Sequence, residues 1–78
     1  MTIIVWVVSN ADSMPIEGTE HHAQSPAEAI DLANDYSLRF ANKGVVRIHA
    51  GTDISIEDLN SLRELAHSRR IALSPVFP

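Results

Sequence analysis

The chain alternates between short apolar runs and longer stretches with helical spacing. Ile3 to Val8 is unbroken, apolar and rich in β-branched side chains. Too short for a typical helix, it predicts a strand buried on both faces. Ser9 to Pro15 carries turn chemistry. A structureless connection of about 15 residues would be unusual in so small a chain, so a second short strand is expected within Thr19–Ala23. Ser25 then suits an N-cap, Pro26 the first helical position and Glu28 a capping box. Ala29, Ala33, Tyr36 and Phe40 follow at helical spacing beside Ile30 and Leu32, predicting a helix over 26–42. Asn42-Lys43-Gly44 offers a cationic last turn and a glycine able to close it in the left-handed conformation.

Val45–Ala50 reads as a strand with Val46, Ile48 and Ala50 on one side and Val45, Arg47 and His49 on the other. Gly51-Thr52-Asp53 is a turn. Ser55 caps a second helix, with Ile54 and Leu59 spaced as a hydrophobic staple. Its expected stripe is Ile56, Leu59, Leu62, Leu65 and Ala66, ending at Arg69-Arg70. Ile71-Ala72-Leu73 reads as a last strand, closed by Ser74-Pro75 and Phe77-Pro78.

These elements define an α/β or α+β domain spanning 1–78, with a single-layer sheet of three to four strands and two helices in the order β-(β)-α-β-α-β. Right-handed strand–helix–strand crossovers are expected. Two arrangements fit. A first strand apolar on both sides favours a central position with helices on both faces. The other arrangement puts both helices on one face and leaves the opposite face open for dimerisation.

Composition narrows the class. Seventy-eight residues suffice for one domain of modest stability, and 45% hydrophobic content supports a true core. Without cysteine there is no disulfide, thiolate metal site or cysteine nucleophile, which fits a reducing, cytoplasmic setting. The apolar N-terminal run is shorter than the roughly 20 residues of a membrane span and lacks a basic flank, so no membrane partner is expected. Net charge is −4, but the first 38 residues carry −6 and the remaining 40 carry +2. Such asymmetry can mark a binding surface.

Candidate chemistry is sparse. In open α/β sheets ligands sit beyond the carboxyl ends of parallel strands, and here those ends would gather Ser9, Asn10 and Asp12 with His49, Thr52, Asp53 and the N-terminus of the second helix. A pocket of Asn10, Asp12, His49 and Asp53 could do acid–base work or hold a cation, although the same residue types serve as turn and cap chemistry. The adjacent His21-His22 would point to opposite faces of a strand, so no metal site is expected. Glycines 18, 44 and 51 form no phosphate loop, and no cofactor is expected. Arg63, His67 and Arg70 could make a basic helix stripe, but at net −4 nucleic acid is not the expected partner. Glu28, Asp31 and Asp35, spaced three and four apart, line one face of the first helix and suit a basic partner surface.

Three segments, Trp6-Val7-Val8, Ser25-Pro26-Ala27-Glu28-Ala29-Ile30 and Gly44-Val45-Val46-Arg47-Ile48-His49, resemble a family of small bacterial domains of unknown function. Those domains have a W-V strand, a T-x-x-E-A-I helix start and a V-x-I-H strand. The resemblance covers about 1–50. Here Ser replaces Thr, the glycine before Trp is missing and a second helix follows. It implies no activity and transfers no site residue. The function expected from the residues themselves is a small intracellular protein-binding module, an adaptor or inhibitor of the kind a phage or mobile element can encode. It would act through the acidic helix face on a basic protein surface, with a homodimer as a further option. The competing reading is a small hydrolase or metal-dependent enzyme using His49 with Asp53 or Asp12.

Overall fold

The computed structural model describes residues 1–74, so the expected closing segment Pro75 to Pro78 lies outside the described residues. In chain order the elements are β1 (Ile3–Ser9), β2 (His21–Ala23), α1 (Pro26–Arg39), β3 (Gly44–Ala50), α2 (Ile56–Arg69) and β4 (Ala72–Ser74). The second strand falls within the expected Thr19–Ala23, and the last is one residue later than Ile71–Leu73. The four strands form one mixed sheet in the order β2-β1-β3-β4, so the domain is a small α+β fold.

Topology decides where the helices lie. Both β2 and β3 run antiparallel to β1, so they are parallel to each other with β1 between them. Thus α1 carries the chain across β1, and α2 carries it from β3 to its parallel neighbour β4. Both crossovers step the same way across the sheet, and two crossovers of one hand then put both helices on one face. The packing agrees: α1 rests on β1, β2 and β3, while α2 lies against α1 and β4. Helices on both faces, the arrangement favoured by the apolar first strand, would need a crossover that reverses direction. The one-sided arrangement is the one found.

The core is therefore single. Ile3, Val5 and Val7 of β1 and Ile48 and Ala50 of β3 are fully buried beneath Ala29, Ile30, Ala33 and Tyr36 of α1 and Leu62 and Ala66 of α2. Alternation in β3 follows the expected pattern, with Val46, Ile48 and Ala50 inward. Beyond its short pairing with β2, the edge of β1 is completed by a turn. The Val7 N–H donates to the buried Thr19 hydroxyl, Thr19 donates to the Ile16 carbonyl, and the Ile16 N–H donates to the Val7 carbonyl. The main chain at Val7 is thus satisfied where β2 has already ended.

Both helices start as expected, Ser25 accepting from the Glu28 N–H and Ser55 from the Asp58 N–H. The end of α2 at Arg69 is also as expected, but that of α1 is not. α1 closes at Arg39 rather than residue 42, with the Phe40 N–H bonded to Tyr36 and the Lys43 and Gly44 N–H groups folding back onto the Phe40 carbonyl. Gly44 is not left-handed; it opens β3 against β1, where a Cβ would press on the Val8 carbonyl and lie 2.7 Å from Val7 Cγ1. Close approach of two strands, not helix closure, requires the glycine. In α2 the left-handed closing residue is Arg70, at φ 57°. Ile56, expected in the buried stripe, is 76% exposed at the first helical position, while Ile54 just before the cap packs against the core.

Candidate functional site

Strand direction separates the residues that the sequence grouped. Because β1 and β3 are antiparallel, Ser9 pairs with Gly44 and Ile4 with His49. Asn10 and Asp12 therefore sit at one end of the ladder and His49 and Asp53 at the other, roughly 20 Å away at about 3.3 Å per residue. The expected pocket of Asn10, Asp12, His49 and Asp53 does not assemble, and neither does the pairing of His49 with Asp12. A parallel ladder would have joined them. Asn10 instead donates its N–H to the Lys43 carbonyl, and the Asp12 carboxylate accepts the Met14 N–H in a local turn.

Asp53 clips the start of β1 to the β3–α2 corner. One carboxylate oxygen accepts the Thr2 N–H at 3.0 Å, and the other accepts the Thr2 hydroxyl at 2.8 Å and lies 3.5 Å from the terminal ammonium. Hydrogen bonding from the Thr2 hydroxyl is the main reason the Asp53 carboxyl titrates below its ordinary range. Partial loss of water opposes this, while the Thr2 N–H and the ammonium reinforce it.

On α1, Glu28, Asp31 and Asp35 lie on the outer side as expected. Asp35 pairs with Arg39 at 2.9 Å, and Arg39 also lies over the Tyr36 and Phe40 rings. Glu28 turns toward His21, 3.3 Å away, and does not complete the capping box with Ser25. Glu28 and Asp35 are thereby positioned by neighbours, and Asp31 lies exposed between them. His21 and His22 point to opposite faces, and among the described residues no three His, Cys, Asp or Glu side chains gather as a metal site. On α2, Arg63, His67 and Arg70 are all exposed.

The larger surface feature is the sheet face turned away from the helices. Three residues of β1 point into it, Ile4, Trp6 and Val8, and all three are only partly buried. Cross-strand register arranges this face in rows. Val8 has Pro15 on one flank and Val45 on the other, and Val45 is 51% exposed. Ile4 lies between His22 and His49. Between these rows, Trp6 has Arg47 on the β3 side. On the β2 side, Glu20 follows from the register that pairs Val5 with His21. Ile4, Trp6, Pro15, Glu20 and His49 line a shallow depression of about 250 Å³. An aromatic centre flanked by one acid and one base thus lies on a face whose other rows are Ile4 between two histidines and Val8 between Pro15 and Val45. The sequence favoured a covered face because β1 looked buried on both sides, and it offered the open face only as the second arrangement, without singling out Trp6. Arg47 and His49 on the outer side of the adjoining strand were the signal that this face meets water.

The site and fold define a one-sided α+β domain whose aromatic-centred sheet face is not covered by either helix. No family model, curated protein or solved structure matches the chain, so no residue role is carried over from a relative.

Proposed function

We propose that the protein is a small, non-enzymatic, cytoplasmic binding module that engages another protein, as an adaptor or inhibitor of phage or mobile-element type. One observation carries this reading: both helices lie on one side of the sheet, so the molecule has two chemically distinct sides. One is the apolar sheet face centred on Trp6. The other is the outer side of α1, where the Glu28, Asp31 and Asp35 carboxylates face water and suit a basic protein surface. Among the described residues no helix is long and apolar enough to cross a membrane.

The test is capture from host extract by wild type and by the triple variant Glu28→Lys, Asp31→Lys and Asp35→Lys, with folding checked by circular dichroism. Loss of the captured protein at unchanged helicity is the expected result. An identical captured set from both baits contradicts the acidic-face reading.

A further inference from the structure

We infer that the sheet face opposite the two helices is occupied by a second copy of this chain, packed face to face about a two-fold axis parallel to β1. The inference rests on reading that face as a docking surface, and its argument is one of charge symmetry. In the middle row, Trp6 sits at the centre with Glu20 toward β2 and Arg47 toward β3. An isologous dimer sets the same patch against itself, so each side chain meets whatever the axis carries onto it. A two-fold axis running along β1 above Trp6 keeps each row and exchanges its flanks. Glu20 of one copy then faces Arg47 of the other, twice, around a Trp6–Trp6 contact. In the adjoining rows Pro15 meets Val45 and His22 meets His49.

The competing two-fold, running across the strands, keeps the flanks and inverts the rows. It sets Glu20 against Glu20 and Arg47 against Arg47, and like charges brought together oppose association. The charge pattern therefore selects one symmetry. The small departure from parallel strands that sheet twist imposes on face-to-face packing leaves the exchange of flanks intact. Ile4, Val8, Pro15 and Val45 supply the apolar contact around the tryptophan.

The size of the face sets the strength. Two seven-residue strands and two three-residue strands, about 4.8 Å apart with about 3.3 Å per residue, cover on the order of 300 Å² of sheet per copy. That lies below the roughly 800 Å² per partner of a standard stable interface, so the dimer forms reversibly with concentration. Face-to-face pairing turns both helix layers outward. The dimer then presents an acidic α1 on each side and can hold two basic partners at once.

Sedimentation of the full chain, from micromolar to near-millimolar concentration, tests this with two charge reversals that spare the core. Glu20→Arg places two bases beside Trp6, and Arg47→Glu places two acids there. Each variant alone should self-associate more weakly than wild type, by roughly tenfold or more, since two attractive contacts become two repulsive ones. Mixed in equal amounts, the two variants should form a heterodimer at near wild-type strength, because every acid then faces a base. The inference is overturned by a wild type that stays monomeric throughout. It is equally overturned by single variants that dimerise as wild type does, as an edge-strand pairing would allow, or by a mixture that stays monomeric. Any of these results leaves capture of a basic partner by α1 intact, so the two readings fail separately.

Discussion

Gly44 shows how one position can be read correctly for its identity and wrongly for its reason. Local sequence places a glycine after a cationic turn, which is the pattern of helix closure. In the fold it is a contact between strands, with the space of a side chain already filled by the Val8 carbonyl and Val7 Cγ1. Gly44→Ala should therefore cost about 2 kcal/mol in urea unfolding, within the range for overpacked sites. An unchanged midpoint would show that the strands part easily. Asp53 gives a second residue-scale prediction. Its ionised form is held by Thr2 in the folded state, so its folded pKa lies below the ordinary value of 3.8. The stability it adds is present above that value and is lost as pH falls through the lowered folded value. The wild-type advantage over Asp53→Asn should thus shrink on going from neutral pH to about pH 2; an advantage independent of pH would contradict the clip. Neither role was legible beforehand, since each depends on residues more than thirty positions away in sequence.

Elements were read better than their ends. The Ser25 and Ser55 caps, the inward set Val46, Ile48 and Ala50, and the Leu62–Ala66 stripe all follow from local chemistry and period, and all appear in the fold. The end of α2 at Arg69-Arg70 was read correctly, but not the left-handed backbone of Arg70, a conformation that usually goes to glycine. Left-handed backbone costs a side-chain-bearing residue roughly 1 kcal/mol. Arg70→Gly should consequently raise the thermal midpoint by roughly 4 °C. A fall would mean that the Arg70 side chain makes a compensating contact. Glu28 shows the same limit: its spacing from Ser25 predicts a capping box, but nearby His21 takes the carboxylate.

At the scale of the whole molecule, the unread quantity was direction. An apolar β1 is compatible with helices on either side, and nothing in Ile3–Val8 or Val45–Ala50 says whether the two strands run together or opposed. That single unknown scattered the imagined pocket of Asn10, Asp12, His49 and Asp53 to opposite ends of the ladder. It also put both helices on one face, exposing Trp6 between Glu20 and Arg47 on the other. By the dimer inference, this face is open in a single copy and covered by a second. Trp6 is the sole tryptophan, so its fluorescence reports on the face directly. Emission and acrylamide quenching should be followed across a dilution series from near-millimolar to submicromolar protein. Trp6 should be red-shifted and readily quenched at low concentration and become blue-shifted and protected as concentration rises. A blue-shifted, protected Trp6 at every dilution would contradict the open face, and emission unchanged across the whole range would contradict the second copy.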